Sequence, residues 1–226
     1  MILDCHTHRQ PPQPQAVVCA SPADFSPTPG QFYSLGIHPW NPEEATPENL
    51  DALLRLGKAP EVVAIGEAGV DTLRGAPLYR QTLDFRRQIE ISEELEKPLV
   101  VHDVKAHDIV AGLRRDLRPK QPWIIHGFRG KPSVVEMMLK ASADIYFSFG
   151  EHWNPDALRA VPRDRLLTET DESPLSIAEI IGRISACVGE EMTHVISANT
   201  LRLFRGVEST DYRVRSVCPA RTGDTD

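Results

Sequence analysis

The stretch Val62-Val63-Ala64-Ile65-Gly66-Glu67 is a run of apolar residues that stops at a single carboxylate. Two later stretches, Leu99-Val100-Val101-His102 and Trp123-Ile124-Ile125-His126, have the same form but stop at a histidine. An apolar run of this length is typical of a parallel strand that is buried on both faces. The polar residue that ends each run is therefore expected at the carboxyl edge of the sheet, where three ligand-type side chains would meet.

The first residues of the chain carry a further pair of possible ligands. An apolar start is followed directly by Asp4-Cys5-His6-Thr7-His8. Because successive side chains of a strand point to opposite faces, His6 and His8 are expected on one face, with Cys5 turned away. Neutral imidazole is the commonest protein metal ligand. The stretch Leu166-Leu167-Thr168-Glu169-Thr170-Asp171 is one more run that ends in a carboxylate, so six candidate ligands fall at strand ends.

Eight strands are predicted along the chain, most of them rich in aliphatic or β-branched residues. Their bounds are Ile2–His6, Ala16–Ala20, Tyr33–Ile37, Val62–Glu67, Leu99–His102, Trp123–His126, Asp144–Phe149 and Leu166–Thr170. Several links between them carry helical signals. Apolar residues three or four apart predict a helix from 78 to 95. Two more helices are predicted over 134–140, with Ser133 as the cap, and over 156–160, and Asp171-Glu172-Ser173-Pro174 is a further start signal.

Strands that alternate with helices over one domain-sized chain predict an α/β fold with a parallel sheet, and eight such units predict a TIM (β/α)8 barrel. The active site of such a barrel lies at the carboxyl ends of its strands, where the six candidate ligands fall. The link Arg9–Gln15 holds seven residues, three of them proline, and cannot form a normal crossover helix. The first outer helix of the barrel is therefore expected to be missing.

Composition sets the outer limits of the function. The chain has 226 residues, of which 41% are apolar and 25% charged, so one domain over residues 1–206 is expected. Residues 207–226 lose all periodicity and are predicted to form a poorly ordered tail. No apolar run approaches the ~20 residues of a membrane span. The four cysteines show no Cys-x-x-Cys spacing, which favours a reducing cytoplasm. The oligomeric state is left open, and a monomer is compatible with the sequence.

Seven blocks of sequence, in order, resemble the TatD-type metal-dependent deoxyribonucleases of the amidohydrolase superfamily. The blocks are 4–8, Gly36-Ile37-His38-Pro39, 64–71, 98–102, 124–130, 168–174 and Asn199 with Leu203-Phe204. The resemblance covers residues 1–206. It implies a TIM barrel that holds one or two divalent metal ions, with zinc, magnesium, manganese, cobalt and nickel all compatible with histidine and carboxylate ligands.

The resemblance also implies a role for each candidate residue. His6, His8, Glu67 and Asp171 would bind one metal, and Glu67 would bridge to a second metal held by His102 and His126. Two neighbouring cations repel each other, and the carboxylates of Glu67 and Asp171 offset that repulsion. Water between the cations would lose a proton and attack phosphorus, with Asp171 as a proton acceptor. The resemblance places His38 at a substrate phosphate, and Lys105 and Arg129 are candidates for the same task.

Several residues around the expected substrate mouth depart from the family pattern. Arg9-Gln10 stands where the family usually has Leu-Asp, Asp103-Val104-Lys105-Ala106 replaces Ser-Arg-Asp-Ala, and Arg129 replaces a small polar residue. A net charge of −7 also disfavours a large nucleic-acid footprint. The resemblance implies a phosphodiesterase that acts on DNA, or on another phosphodiester, and the net charge favours a small contact at a strand end.

Other hydrolases remain open as alternatives. The same metals could serve a hydrolase of an ester, lactone, amide or aminoacyl-tRNA bond, which the altered mouth favours. A phosphomonoesterase barrel of the histidinol-phosphatase type also begins with His-x-His, but it has further histidines near its C-terminus. Here His194 is the only histidine after His152, and both are interpreted, with His107, as structural. A binding protein with a degenerate site is disfavoured because all six candidate ligands are present.

Overall fold

The computed structural model describes residues 1–204 and contains one sheet of eight parallel strands, arranged around the barrel in chain order. The strands are β1 Asp4–Thr7, β2 Ala16–Ala20, β3 Phe32–Leu35, β4 Val62–Asp71, β5 Leu99–Val104, β6 Trp123–Ile125, β7 Ile145–Phe149 and β8 Leu166–Thr168. All eight predicted strands are present, which confirms the α/β barrel. The predicted tail at 207–226 lies outside the described residues.

Seven α-helices and one short 3₁₀ turn, Arg163–Arg165, connect the strands within the described part of the chain. The helices are α1 Pro47–Leu56, α2 Leu78–Glu94, α3 His107–Leu117, α4 Pro132–Ala141, α5 Pro155–Ala160, α6 Ile177–Val188 and α7 Thr193–Leu203. Residues 8–15 between β1 and β2 contain no helix, which confirms the missing first outer helix. Residues 21–31 between β2 and β3 also contain none, so a second crossover is trimmed.

Two predicted helix starts are wrong. Ser133 was predicted to cap α4, but Lys131 takes the cap position and the helix already begins at Pro132, whose fixed φ suits a first helical turn. The signal at 171–174 does not begin α6. That helix begins at Ile177, where Ser176 and Glu179 form a reciprocal capping box that satisfies free backbone amides. Both errors have the same cause. Several adjacent residues could occupy the N-cap position of each helix, and the course of the preceding loop determines which one does.

The core has two layers, because successive side chains of each strand point alternately into the barrel and out towards the helices. One cluster, which includes Val17, Val63, Val100 and Ile124, lies inside the barrel. The larger cluster packs the outer faces of the strands against the helices, as with Leu99 on β5 and Phe85 on α2. Strands that are apolar on both faces are what this arrangement requires, because each face is covered. Among residues 1–204, no helix is both long and apolar enough to cross a bilayer.

Closure of the barrel takes place at its carboxyl end. β8 meets β1 through an isolated parallel bridge between Thr7 and Asp171, where the Asp171 amide donates to His6 O at 3.0 Å. The pairing of β1 with β2 also shifts register between Asp4 and Thr7, so β1 carries one extra residue there. Cys5 consequently belongs to the inner cluster and donates to Ser148 Oγ at 3.0 Å. The prediction that Cys5 turns away from the barrel interior is wrong, since simple alternation does not survive a bulge.

Candidate metal centre and active site

The carboxylate of Glu67 lies at the centre of a cluster of histidines at the carboxyl end of the barrel. His6 Nε2 and His8 Nε2 are 3.3 and 3.4 Å from Glu67 Oε2. On its other side, Oε1 is 3.1, 2.5 and 2.7 Å from the nearest ring nitrogens of His38, His102 and His126. Each oxygen therefore faces its own set of imidazoles, and one carboxylate separates two groups of donor atoms.

Local irregularity of β4 brings Glu67 into this position. Between Ile65 and Ala68 the pairing with β5 shifts by one residue, which is the signature of a bulge that re-aims a side chain. The end of β3 also approaches β4 very closely, because a Cβ at Gly36 would lie 2.4 Å from the Gly66 Cα. Gly66 has a φ of 115°, a conformation that glycine adopts far more readily than other residues. The two glycines thus explain why a buried strand can present a carboxylate here.

Asp171 reaches the cluster because the barrel closes beside it. Its Oδ1 lies 4.0 Å from His6 Nε2 and 3.7 Å from His8 Nε2, and its side chain is 31% exposed. Its backbone has a φ of 50°, which aspartate tolerates better than most residues. Asp171 is therefore the carboxylate of the cluster that is open to solvent, whereas the Glu67 side chain is only 2% exposed.

Two further carboxylates lie behind the histidines. Asp71 Oδ2 is 3.5 Å from His102 Nε2 and accepts a 2.7 Å hydrogen bond from the Trp40 indole. Glu169 Oε1 is 3.5 Å from His126 Nδ1 and accepts from the Gly127 amide at 2.7 Å. In each pair the opposite ring nitrogen of the histidine faces Glu67. A carboxylate behind a ligating histidine fixes its ring and tautomer, so both pairs fit the outer shell of a metal site.

The electrostatics of the cluster link Glu67 to His126. Burial alone would raise the pKa of Glu67, but the charge of His126 and hydrogen bonds from the surrounding histidines hold that pKa well below its usual value. Burial lowers the pKa of His126, but the neighbouring carboxylates of Glu67 and Glu169 outweigh this and raise the pKa well above its usual value. The carboxylate of Glu67, 3.4 Å from His8 Nε2, likewise raises the pKa of His8. Protons and a divalent cation therefore compete for the same donor atoms.

The three predicted substrate residues lie in different surroundings. His38 is inside the cluster, 3.1 Å from Glu67 Oε1 and 3.3 Å from His102 Nδ1, so it is as close to the carboxylate as the predicted ligands are. Lys105 and Arg129 are exposed residues of the loops that follow β5 and β6. Arg9 does not point freely into the mouth, because its guanidinium donates to Ser173 O and Leu175 O and ties down the loop after β8.

Some residues at the site were missed by sequence reasoning or quoted only as parts of motifs. Asp71 and Glu169 lie in the sequence blocks that resemble the TatD family. A charged residue inside an apolar block is the signal that could have identified each of them as a site residue. Trp40 follows Gly36-Ile37-His38-Pro39 and lies across the site, with the Arg74 guanidinium 4.0 Å from its ring centre. Cys19 is the residue before the last of an ordinary apolar strand, and nothing in the sequence marks it. Its sulfur belongs to one of the groups of side chains that could hold a metal ion.

Two clefts open beside the cluster. The first cleft, of about 290 Å³, is lined by residues of the loops after β1, β2 and β3, including His8, His38, Trp40 and Glu44, and it reaches Glu67. The second cleft, of about 240 Å³, is lined by Arg129, Glu151, His152, Asp171 and neighbouring backbone. Glu172 borders both clefts. A substrate that entered both clefts would therefore pass over Glu67 and Asp171.

The donor set fits divalent metal ions. His6 Nε2 and Glu67 Oε2 are buried atoms without a hydrogen-bond partner, and both face the same space between β1 and β4. Buried polar atoms are nearly always satisfied, so orphaned ligand atoms that converge indicate a missing partner. Imidazole nitrogens with carboxylate oxygens are suitable ligands for several divalent ions. An eight-stranded parallel barrel with this donor set at its carboxyl end defines a metal-dependent hydrolase of the TIM-barrel class.

Comparison with known proteins identifies the family. Residues 26–205 match the family described as TatD related DNase, so the chain belongs to that family. The matched range contains Glu67, His102, His126 and Asp171 and begins after His6 and His8.

Relatives agree with this assignment, and a solved structure agrees with the fold. The chain is 31% identical, over 78% of its length and 79% of the relative, to "3'-5' ssDNA/RNA exonuclease TatD" of Erwinia billingiae. It is 32% identical, over 76% of its length and 73% of the relative, to "Uncharacterized metal-dependent hydrolase YcfH" of Escherichia coli K12. The crystal structure of YjjV, a TatD homologue from E. coli K12, matches with a TM-score of 0.76 at 20% identity, covering 90% of this chain and 97% of that one.

Proposed function

We propose that this protein is a phosphodiesterase that uses two divalent metal ions to remove nucleotides from the end of a nucleic-acid strand. The observation that carries the proposal is the position of Glu67, whose two oxygens each face a separate group of imidazole nitrogens. A single carboxylate between two donor groups would allow Glu67 to hold both ions of a pair. Two-metal sites are typical of nucleases and phosphatases, because they stabilise both the attacking and the leaving oxygen.

Each donor then has a specific role. His6, His8, Glu67 and Asp171 would hold one ion, and Glu67, His102 and His126 the other. When bound, the ions supply Lewis acidity towards a phosphoryl oxygen and make water easier to deprotonate. Asp171 accepts a proton from the attacking water, because it is the solvent-exposed carboxylate of the cluster. As the new phosphorus–oxygen bond forms, the bond to the sugar oxygen breaks, and the proton held on Asp171 passes to that leaving oxygen.

The surroundings favour a small contact with a strand end. The chain carries a net charge of −7, and sequence-independent affinity for nucleic acid comes mainly from lysine and arginine contacts to phosphates. His38 beside the cluster, and the exposed Lys105 and Arg129 on neighbouring loops, would contact the scissile phosphate and a flanking phosphate. A relative at 31% identity is named as a single-strand exonuclease, which supports DNA or RNA as the substrate. The free thiols of Cys5, Cys19 and Cys187 are compatible with a cytoplasmic location.

The test combines metal loading with a choice of substrates. Protein stripped of metal and then loaded with magnesium, manganese or zinc is assayed on 3′-labelled single-stranded DNA, a nitrophenyl phosphodiester, a nitrophenyl monoester and an aryl ester. We expect release of the label as a nucleotide if the 3′ end is attacked, or shortening of the labelled strand if the 5′ end is attacked, together with turnover of the phosphodiester. Turnover of the monoester alone, or of the aryl ester alone, contradicts the proposal.

Variants separate phosphate contacts from chemistry. Lys105→Ala and Arg129→Ala should each raise KM on the oligonucleotide roughly tenfold and leave kcat nearly unchanged, as expected when a contact is equal in ground and transition states. The small phosphodiester, which has no flanking phosphate, should be unaffected. Lys140→Ala, which removes an exposed lysine from α4, is the matched control. If neither Lys105 nor Arg129 affects the oligonucleotide, the proposed phosphate contacts are wrong.

One observation favours a second candidate, a hydrolase of an uncharged ester or amide. Three glutamates, Glu44, Glu151 and Glu172, line the clefts on either side of the cluster. Negative side chains at the mouth repel a polyanion and accept hydrogen bonds from neutral, hydroxyl-rich groups instead. Under this alternative, the Glu172→Gln variant should increase activity on the oligonucleotide by lowering repulsion. Activity on the aryl ester should exceed the oligonucleotide activity of both the wild type and this variant.

A further inference from the structure

Cys19 shares the layer of the barrel that contains the candidate metal ligands. It lies on β2 two residues after Val17, which belongs to the cluster inside the barrel. Residues two apart on a strand point to the same face, so the Cys19 side chain projects into the barrel near its carboxyl end. There it lines the first cleft together with His8 and Glu67.

The sulfur is close enough to share an ion with these neighbours. Ligand atoms of His6, His8, Cys19 and Glu67 all lie within 4.8 Å of one another. Zinc bonds to nitrogen at about 2.0–2.1 Å and to thiolate sulfur at about 2.3 Å, so small side-chain rotations would bring donors this close onto one ion. Imidazole, carboxylate and thiolate are all donors that zinc accepts, and with Asp171 the set would offer five of them, a number that zinc sites also reach.

A separate observation indicates that an ion belongs at this point. His6 and Glu67 each offer a ligand atom within 4.8 Å of the sulfur, and among their atoms His6 Nε2 and Glu67 Oε2 are buried without a hydrogen-bond partner. The side chains of His6 and Glu67 are 0% and 2% exposed, so water does not satisfy them freely. Cys19 by itself would be one half-buried thiol, but beside two orphaned ligand atoms it completes a group of donors.

We propose that Cys19 is a further ligand of the metal ion held by His6, His8 and Glu67, and that it makes this position selective for thiophilic ions such as zinc. On binding, the thiol proton is released to solvent and a sulfur–metal bond forms. Thiolate is a soft ligand that zinc and cadmium prefer, whereas magnesium and manganese prefer oxygen. The inference rests on the proposed metal centre, but it does not depend on which bond the enzyme hydrolyses.

Spectroscopy of the metal-loaded protein tests the proposal without an activity assay. Metal-free protein is titrated with cadmium or cobalt, and binding is measured in parallel by equilibrium dialysis. Wild-type protein should show a sulfur-to-metal charge-transfer band that rises with the bound metal. The band should be lost in Cys19→Ser and kept in Cys187→Ser, a control that changes a thiol on α6. Cys19→Ser should weaken cadmium binding roughly tenfold while manganese binding changes far less.

The possible outcomes distinguish the two proposals. Metal that binds to wild-type protein without a charge-transfer band overturns the role of Cys19 and leaves the metal centre intact. Dialysis that detects no bound metal overturns both. A band that persists in Cys19→Ser assigns the sulfur to another cysteine and also overturns the inference.

Labelling of the wild-type protein gives an answer that does not depend on the folding of a variant. Metal-free protein treated with a maleimide should be modified at Cys19, and bound cadmium should protect that residue in peptide mass analysis. Cys187 should be labelled equally in both states. Equal labelling of Cys19 with and without cadmium contradicts the proposal.

Discussion

The two ends of the barrel differ in how many of their buried side-chain polar atoms lack a hydrogen-bond partner. Of the seven buried side-chain atoms without hydrogen-bond partners among residues 1–204, six lie at the carboxyl end, on His6, Ser34, Glu67, His126 and Glu169, and only Trp123 Nε1 lies at the other. At the amino end, long polar side chains cap backbone carbonyls. The Lys97 ammonium donates to the carbonyls of Gly57, Ala59 and Val62, and Asn199 Nδ2 donates to those of Arg163 and Leu166 at 2.7 and 2.8 Å.

This difference shows which end of the molecule serves stability and which serves chemistry. An unsatisfied buried polar atom costs about 1–3 kcal/mol, so such atoms persist only where they serve another purpose. In a TIM barrel, catalytic groups occupy the carboxyl end and the amino end stabilises the fold. Variants at the carboxyl end should therefore change metal binding and turnover with little effect on unfolding, and variants at the amino end should do the reverse.

The largest effect is expected for Glu67→Gln, which keeps the shape of the side chain but removes the charge between the two groups of donors. Activity should fall by about 10⁴-fold or more, the scale of losing one member of a group of residues that acts as a unit. The free energy of unfolding, measured by urea titration, should change little. If the variant keeps more than a tenth of wild-type activity, the bridging role of Glu67 is wrong.

A smaller loss is expected for Glu169→Gln, because this carboxylate acts through His126. Burial raises the pKa of Glu169, but the nearby charged ring of His126, with Nδ1 3.5 Å away, outweighs burial and lowers that pKa, so the two side chains form an ion pair. Substitution of a residue behind a ligand typically reduces metal affinity or activity about 10–100-fold. Affinity for manganese is measured by dialysis, and Glu136→Gln, which changes an exposed glutamate on α4, is the control. Unchanged affinity argues that Glu169 only packs behind the site.

At the opposite end, Asn199→Ala should destabilise the protein without affecting catalysis. The change leaves the buried carbonyls of Arg163 and Leu166 without their donor, so the free energy of unfolding should fall by about 2 kcal/mol. kcat and metal affinity should stay the same at a temperature where the variant is folded. Arg202→Ala, an exposed change on the same helix, should remain within about 0.5 kcal/mol of wild type. A fall in kcat with an unchanged free energy of unfolding would contradict the assignment of the amino end of the barrel to stability.

The smallest effect concerns His107, which was interpreted as structural. Its Nδ1 lies 2.7 Å from Asp103 Oδ2, and the hydrogen bond to Asp103 raises the pKa of His107. A group with a raised pKa in the folded state stabilises the protein fully below its unfolded pKa, about 6.5, and loses that contribution as pH rises through the folded pKa. The difference in unfolding free energy between wild type and His107→Asn should therefore be larger at about pH 5.5 than at about pH 8.5, by no more than about 1 kcal/mol. A larger difference at the higher pH has the wrong sign.

The sequence alone determined the strands and the residues at their ends. Runs such as Leu99-Val100-Val101-His102 predict a buried strand without any tertiary information, because hydrophobicity and strand length are local properties. The seven blocks of family resemblance added the expected ligand set, and the structure brings these six side chains to one end of the barrel. The missing first helix could also be predicted, since the prolines between Arg9 and Gln15 exclude it.

Only the tertiary structure decided how those residues face one another. The bulges in β1 and β4, which direct Cys5 inward and aim Glu67 between two groups of histidines, arise from pairing with neighbouring strands. The position of Cys19 beside His8 depends on the contact between β2 and β1. Glu169 and His126 meet although they are 43 positions apart in sequence, because β8 and β6 end at the same edge of the barrel. Register, barrel closure and the choice of helix caps are settled by contacts between distant segments, and no local pattern contains that information.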